Sequence, residues 1–208
     1  MPPIPEPKFR RRPADRPAEI LGAALEVFAE RGFEAARLEE VAKRAGVSKG
    51  ALYLYFATKA DLFRAVVTDA VSSNIQRVKA VASADLPFET AARIGVGMLA
   101  RTMMTDRRVS AVAKLVIAES RNRPELATVW RESVVEPGVG LMTGLIAAAQ
   151  GRAEVRPGDP RLFAFGIMGP LVLSIVWRET FEPVGAEPID VVALADQHLE
   201  TVLKGMRP

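Results

Sequence analysis

The segment from Leu162 to Trp177 constrains the fold most, because it carries no charged side chain over sixteen residues. Ser174 is its only conventional polar side chain, and Arg161 and Arg178 bracket it. Sixteen helical residues fall short of the roughly 20 that cross a bilayer. A helix that is apolar on all sides must be covered on all sides. We therefore expect burial against its own domain and a second subunit, with a single intramolecular core as the alternative.

The last stretch of the chain supports a subunit interface. Val192, Ala195, Leu199 and Val202 follow a three-four repeat, which forms a packing seam along one side of a helix. The two segments, at about 160–182 and 188–204, predict a homodimer that pairs through the last two helices.

Apolar residues recur three and four positions apart elsewhere, and no stretch alternates as a strand does. Pro17 suits the first turn of the first helix, and Gly32 suits its end. Pro124 opens a long segment to about Gln150 that should bend at Pro137, which lacks a backbone donor. The other expected helices are Leu38–Ala45, Ser48–Phe56, Leu62–Val81, Pro87–Met104 and Arg107–Ser120. The fold class is all-α, with three short N-terminal helices before a larger helical body.

Composition limits the chemistry. The 208 residues include no cysteine and one histidine, His198, which leaves no disulfide framework, no thiolate and few zinc sites. A nucleophile and base pair would depend on His198, which lies on the final seam, so we expect no enzyme, no cofactor and no metal. Lys8 and Arg10–Arg12 are followed by no apolar core of signal-peptide type, which favours the cytoplasm.

The positive charge is concentrated at one end. Residues 1–60 hold 11 Lys and Arg against 8 Asp and Glu, whereas the remaining chain holds 17 of each. This excess suggests a polyanionic partner, although an ordinary solvated face fits equally well. Residues 1–15 are rich in proline and arginine and should form a disordered basic arm, either a solubilising tail or an arm that contacts DNA.

The stretch Leu38–Phe56 has the pattern of a helix-turn-helix. Val41 and Ala45 lie four apart and face inward. Gly46 permits the sharp turn between the two helices, and Ser48 can cap the second of them. The start of that helix should therefore be exposed, and in such motifs this end enters the major groove of DNA.

Each candidate DNA contact has a chemical reason. Lys49 can donate to guanine O6 and N7, Ala51 can touch a thymine methyl, and Gly50 allows close approach of the backbone. Hydroxyl and ammonium groups further along can reach phosphate oxygens. For the flanking charges at Arg37, Arg44 and Lys59, plain surface charge is as good an interpretation. The candidate set is Arg37, Arg44, Ser48, Lys49, Gly50, Ala51, Tyr53, Tyr55 and Lys59.

This constellation resembles the DNA-binding signature of the TetR family of transcriptional regulators, over roughly Pro17 to Phe63. The matching residues are Gly32-Phe33, Val41-Ala42, Ala45-Gly46-Val47-Ser48-Lys49-Gly50, Leu52-Tyr53, Tyr55-Phe56, Lys59 and Leu62. The chain departs from the family pattern in two places. Ala36 and Arg37 stand where threonine or serine is usual, so a cap of the second helix is missing. Tyr55 stands where histidine is frequent.

The resemblance implies a homodimeric repressor that leaves a palindromic operator when a small hydrophobic or amphipathic effector binds. It divides the chain into the arm at 1–15, a DNA-binding domain at 16–60 and an effector-binding and dimerisation domain at 61–208. Such a protein would be cytoplasmic and nucleoid-associated. A transcriptional activator, or a binding protein whose helix-turn-helix no longer binds DNA, are the alternatives.

Large apolar residues of the body are the candidates for the effector pocket. Side chains of this kind are more often simple core than ligand contacts. The pocket candidates are Met98, Met103, Leu115, Trp130, Met142, Phe165, Met168 and Trp177.

Overall fold

The computed structural model describes the backbone of residues 16–208 and the side chains of residues 17–72 and 75–208. The arm expected at 1–15 lies outside this range. Between residues 16 and 208 the chain folds into α-helices without a β-strand, which confirms the all-α prediction. The helices are α1 Arg16–Ala35, α2 Leu38–Arg44, α3 Lys49–Tyr55, α4 Lys59–Ala82, α5 Phe88–Thr105, α6 Arg108–Glu119, α7 Pro124–Trp130, α8 Glu136–Gly151, α9 Pro160–Val176 and α10 Val191–Met206.

Two compact units divide the chain: an N-terminal unit through Val66 and a C-terminal unit from Val67 to Pro208. The N-terminal unit is built on an aromatic cluster. Phe28 stacks on Phe33 with ring centroids 5.5 Å apart, and Phe63 meets both rings edge-on. The first helical segment of α1 ends at Gly32, as predicted, because its φ of 75° breaks the helical path, and a short second segment continues to Ala35.

The C-terminal unit surrounds its core with α5, α8, α9 and α10, where α10 packs on α5 and α9, and α8 packs on α9. The seam residues Ala195 and Leu199 are buried within this core. Packing within the subunit explains the burial of these two residues, and the dimer interface through the last two helices stays a prediction. Four of the large apolar side chains left exposed in this unit lie on α9, and others lie on α5, α6 and the π turns.

Prolines locate the irregular turns of the C-terminal unit. A π-helical turn, Arg131–Val135, joins α7 to α8 directly before Pro137, and a second one, Trp177–Phe181, follows α9 and precedes Pro183. Proline gives no N–H to the carbonyl four residues earlier, and its ring crowds that carbonyl, so the preceding turn widens. The bend predicted at Pro137 takes this form.

Pro170, inside α9, has a related effect. It cannot donate to the carbonyl of Gly166, and His198 Nε2 on α10 lies 2.8 Å from that oxygen. The single histidine thus supplies the hydrogen bond that the proline removes, which is a structural role.

The helical run at α9 is longer than the sixteen-residue apolar segment, since the second π turn, which carries Arg178 and Glu179, extends it. The helical run Pro160–Val184 covers 25 residues and could span a membrane by length and composition. Much of its surface is uncovered in the single chain: Leu162 is 69%, Val172 57% and Leu173 60% exposed. An exposed apolar surface of this kind is typical of an interaction site, so cover from a second subunit stays a prediction for this helix.

Candidate DNA-binding surface and effector cavity

The helix-turn-helix is assembled as its residue types require. Val41 and Leu52 are fully buried and hold α2 and α3 to the unit. Gly46 adopts a φ of 67°, a left-handed conformation that favours glycine, so it forms the turn. Ser48 Oγ accepts a 3.1 Å hydrogen bond from the Ala51 amide and caps α3. Arg37 occupies the N-cap of α2 without a side-chain cap bond, as the missing serine or threonine predicts.

The first turns of α3 are open to solvent. Lys49, Gly50, Tyr53 and Tyr55 are all exposed, and a Cβ on Gly50 would meet no atom within 4 Å. Sequence reasoning missed Leu54, which lies between the two tyrosines and is 86% exposed. These side chains form a surface with cationic, phenolic and apolar groups side by side.

Lys49 is held by an acidic neighbour that sequence reasoning also missed. Its Nζ lies 2.5 Å from Oε1 of Glu39 on α2 and 5.7 Å from the centre of the Tyr53 ring. The hydrogen bond from Lys49 lowers the pKa of the Glu39 carboxyl, and the same bond raises the pKa of the Lys49 ammonium. Both side chains are more than half exposed, so the pair can exchange for other partners at small cost.

Arg44 and Lys59 are occupied within the N-terminal unit. The Arg44 guanidinium donates to both carboxylate oxygens of Glu30 at 2.6 and 2.8 Å, and this bond lowers the pKa of Glu30. Lys59 Nζ donates to the carbonyls of Glu34 at 2.8 Å and Ala36 at 3.2 Å. It also lies 4.8 Å from the centre of the Phe33 ring. Both cations stabilise the packing of α1, so a phosphate would have to compete with these bonds.

The C-terminal unit contains a main cavity of about 530 Å³. Four candidate pocket residues line it: Met103, Trp130, Phe165 and Met168. The rest of its wall is apolar as well: Leu99, Val109, Ala113, Val116, Ile117, Val134, Val135, Val139, Gly169, Leu171, Val172 and Ile175. Its volume lies in the range of about 300–1,000 Å³ that is typical of small-molecule sites.

A second cavity of about 160 Å³ shares part of this wall, including Leu99, Met168 and Leu171. Val71, Ile75 and Val78 of α4 also line it, and Met142 and the shared Met168 are the predicted pocket residues found there. The remaining candidates, Met98, Leu115 and Trp177, line neither cavity. Sequence reasoning missed the valines, because an apolar residue on a helix has the same pattern whether it faces a core or a cavity.

A buried arginine lies beside the main cavity. Nη1 of Arg178, in the π turn after α9, donates to the Met103 carbonyl at 2.5 Å. Its Nε and Nη2 atoms are buried and make no hydrogen bond within the described structure. This was not a predicted site residue, and only its position at the end of the charge-free segment marked it in the sequence.

A helix-turn-helix with an exposed, basic third helix, followed by a helical unit with an apolar cavity, defines a ligand-binding transcriptional regulator. Residues 20–66 match the family of bacterial regulatory proteins, tetR family, and residues 93–195 match the tetracyclin repressor-like C-terminal domain. The chain belongs to the TetR family and is a DNA-binding transcriptional regulator. Regulators of this family bind operator DNA, form homodimers and bind small-molecule effectors.

Relatives of the whole chain are regulators too. The fatty acid metabolism regulator protein of Bacillus subtilis is 24% identical over 192 residues, which cover 90% of this chain and 94% of that protein. A TetR-family regulator structure from Mesorhizobium loti has a TM-score of 0.75 at 24% identity, covering 96% of this chain and all of the other. The Bacillus subtilis regulator FadR in complex with stearoyl-CoA has a TM-score of 0.74 at 22% identity, covering 91% and 99%. The two structures establish the fold.

Proposed function

We propose that this regulator is a repressor that binds a palindromic operator as a homodimer and leaves it when an elongated, apolar-chain effector fills the main cavity. The observation that carries this proposal is the cavity itself: about 530 Å³ lined by apolar side chains. Burial of an apolar chain there gains about 25 cal/mol for each Å² removed from water. No enzymatic step is part of this function, and the protein acts in the cytoplasm on the nucleoid.

On the DNA side, the capped start of α3 enters the major groove. Lys49 leaves Glu39 and donates to a base edge, while Tyr53 and Tyr55 donate their hydroxyls to phosphates. Ser48, Gly50 and Ala51 lie at the base edges, and Arg37 adds a phosphate contact. Arg44 and Lys59, which are held by bonds to α1 and its surroundings, contribute charge rather than direct contacts.

The apolar stripe of α9 forms the dimer interface. Leu162 and Phe165 lie three residues apart, Val172 and Leu173 lie about two turns further on, and each is at least 49% exposed in the single chain. α10 lies beside α9 and adds its exposed polar side to the rim. Because the dimer presents two recognition helices, the operator half-sites should lie about one helical turn apart.

The relatives favour an acyl chain as the apolar part of the effector, since one is a fatty acid metabolism regulator and a similar structure contains stearoyl-CoA.

The second cavity offers a route by which a bound effector can change operator affinity. Its α4 lining belongs to the same helix that begins at Lys59 in the N-terminal unit, so a chain that reaches Ile75 can shift α4. A few kcal/mol of coupling would be sufficient, because about 1.4 kcal/mol changes affinity tenfold.

The operator half of the proposal is tested by selecting bound DNA from a random library and titrating salt. A palindrome whose affinity falls steeply with salt is the expected result. Failure to recover any consensus would mean a helix-turn-helix that no longer reads DNA. A reporter placed behind the recovered site then gives the sign: expression should rise when the gene is deleted, and a fall would indicate an activator.

The cavity half is tested with Ala113→Phe, which places a ring in the main cavity, and with Ala118→Phe, which places it on the exposed side of the same helix. Saturated fatty acids and acyl-CoA esters are the probes. Ala113→Phe should bind operator normally but lose release by the probes, whereas Ala118→Phe should respond as the wild type does. Equal release from both variants would place the effector elsewhere.

A further inference from the structure

Arg178 has a binding capacity that the folded chain leaves unused. Its side chain is only 13% exposed, and its Nη1 is committed to the Met103 carbonyl near the end of α5. The two other nitrogens, Nε and Nη2, are buried without a hydrogen bond. Glu179 Oε1 lies 3.4 Å from Nε, close enough for an ion pair but without hydrogen-bond geometry.

Buried charged donors that make no hydrogen bond are costly, and each one in a native structure calls for an explanation. In a guanidinium, the N–H groups of Nε and Nη2 point to the same side and form a fork that fits both oxygens of a carboxylate. The unused side of Arg178 is this fork. The side already bonded, through Nη1, fixes the orientation of the guanidinium.

The position of Arg178 connects the fork to the main cavity. Met103, whose carbonyl accepts from Nη1, is one of the residues that line that cavity, and so is Ile175, one turn before Arg178. The cavity wall itself provides apolar side chains and Gly169. Arg178 does not itself line the cavity, but it adjoins two residues that do, which makes it the candidate for the charged group that an amphipathic ligand needs at one end of this cavity.

The charged side chains around Arg178 favour a ligand with a single negative charge. Glu179 also lies near Lys114, with 3.9 Å between Oε2 and Nζ. The three side chains together carry one positive charge in excess. A single carboxylate neutralises the cluster, and Lys114 remains as the partner of Glu179 when the ligand takes the fork of Arg178.

We infer that Arg178 binds the free carboxylate of a long-chain monocarboxylic acid whose chain lies in the main cavity. The inference rests on the proposed effector function and adds the head group to it. It distinguishes a free fatty acid from its coenzyme A thioester, which has no carboxylate at the end of the acyl chain.

The test compares dodecanoate with dodecanol, two probes of equal chain length that differ in head-group charge, by calorimetric binding to the full protein. Arg178→Met should weaken dodecanoate by about tenfold to a hundredfold, as expected for bonds to a charged group, and change dodecanol by less than about threefold. Arg178→Lys should recover part of the dodecanoate affinity, since it keeps the charge without the fork. Arg121→Met, which removes an exposed charge, should leave both affinities unchanged.

The possible failures are distinct. Equal losses for the acid and the alcohol would make Arg178 purely structural and overturn the inference, while the cavity proposal would stand. Binding of neither probe to the wild type would overturn the cavity proposal as well. If Arg178→Met weakens binding of dodecanoyl-CoA but not of dodecanoate, the fork binds an anion other than a free carboxylate, and the inference is wrong. If Arg178→Met does not fold, the ratio of acid to alcohol affinity in Arg178→Lys gives the same decision.

Discussion

The N-terminal and C-terminal units use apolar and charged side chains in opposite ways. In the N-terminal unit, three phenylalanines close the core and the surface of α3 is arranged by charge pairs such as Lys49 with Glu39. In the C-terminal unit, apolar side chains leave two cavities and an exposed stripe on α9, and a charged group is buried at Arg178. In the proposed function, recognition of DNA depends on polar groups held outward, and recognition of a ligand depends on space left inside.

The largest expected effect is on the closed core. Phe28→Ala removes a fully buried ring from the aromatic cluster and should lower the free energy of unfolding by about 3–5 kcal/mol. Operator binding should be lost, while binding of the fatty acid probe should survive if the units are stable separately. Chemical denaturation and probe titration measure the two quantities. Loss of both functions together would show that the units unfold as one and would break the comparison.

The next effect concerns the charged surface. Lys49→Ala should weaken operator binding by about tenfold to a hundredfold and relax base preference at one position of each half-site. The slope of log affinity against log salt should change little if Lys49 contacts a base, because that slope counts phosphate contacts. Lys43→Ala, on the exposed side of α2, is the control and should retain the preference. An unchanged consensus in Lys49→Ala would remove Lys49 from base recognition.

The sequence predicts the helix-turn-helix of the N-terminal unit more accurately than the cavity of the C-terminal unit, and the reason is physical. Gly46, Ser48 and Val41 each have one mechanical task at a fixed spacing, so α2 and α3 were predictable within a residue or two. The cavity depends on which apolar side chains fail to touch. Met103 and Met168 line it whereas Met98 and Leu115 do not, although the helical pattern is the same for all four.

The charged candidates show a second limit. Spacing indicates where a cation lies along the chain but not which group it bonds. Arg44 bonds Glu30, fourteen residues away, and Lys59 bonds carbonyls more than twenty residues away. Such partners depend on how α1 packs against the helices that follow, which the local pattern does not contain.

Lys59 is a cation of the N-terminal unit whose hydrogen bonds stabilise the fold and do not face outward as those of Lys49 do. Lys59→Met should lower the free energy of unfolding by about 1–3 kcal/mol, since two carbonyls near the end of α1 lose a charged donor. It should leave the salt slope of operator binding unchanged at temperatures where the variant is folded. Thermal denaturation and salt titration check the two statements. A slope reduced by about one, without loss of stability, would restore the phosphate contact suggested by the sequence.

The smallest effect is expected at Glu39. Glu39→Gln removes a negative charge beside Lys49 and should strengthen binding to operator and random DNA alike by a factor of about two to five, in keeping with the small energy of exposed ion pairs. The gain should shrink as salt rises, because exposed charges are screened. Glu125→Gln makes the same charge change on α7 of the C-terminal unit. Equal gains from both variants would mean that net charge alone is responsible.

The pH dependence of this gain distinguishes the ion pair from a general charge effect. Lys49 holds the pKa of Glu39 below its ordinary value of 4.5, so the carboxylate stays charged as pH falls to that value. A group with a lowered pKa keeps its contribution above the ordinary pKa and loses it as pH falls through the lowered one. The difference between wild type and Glu39→Gln should therefore persist at pH 4.5 and vanish only below it. In the Lys49→Ala background, where nothing lowers the pKa through that bond, the difference should fade at higher pH, and an unchanged profile there would disprove the coupling.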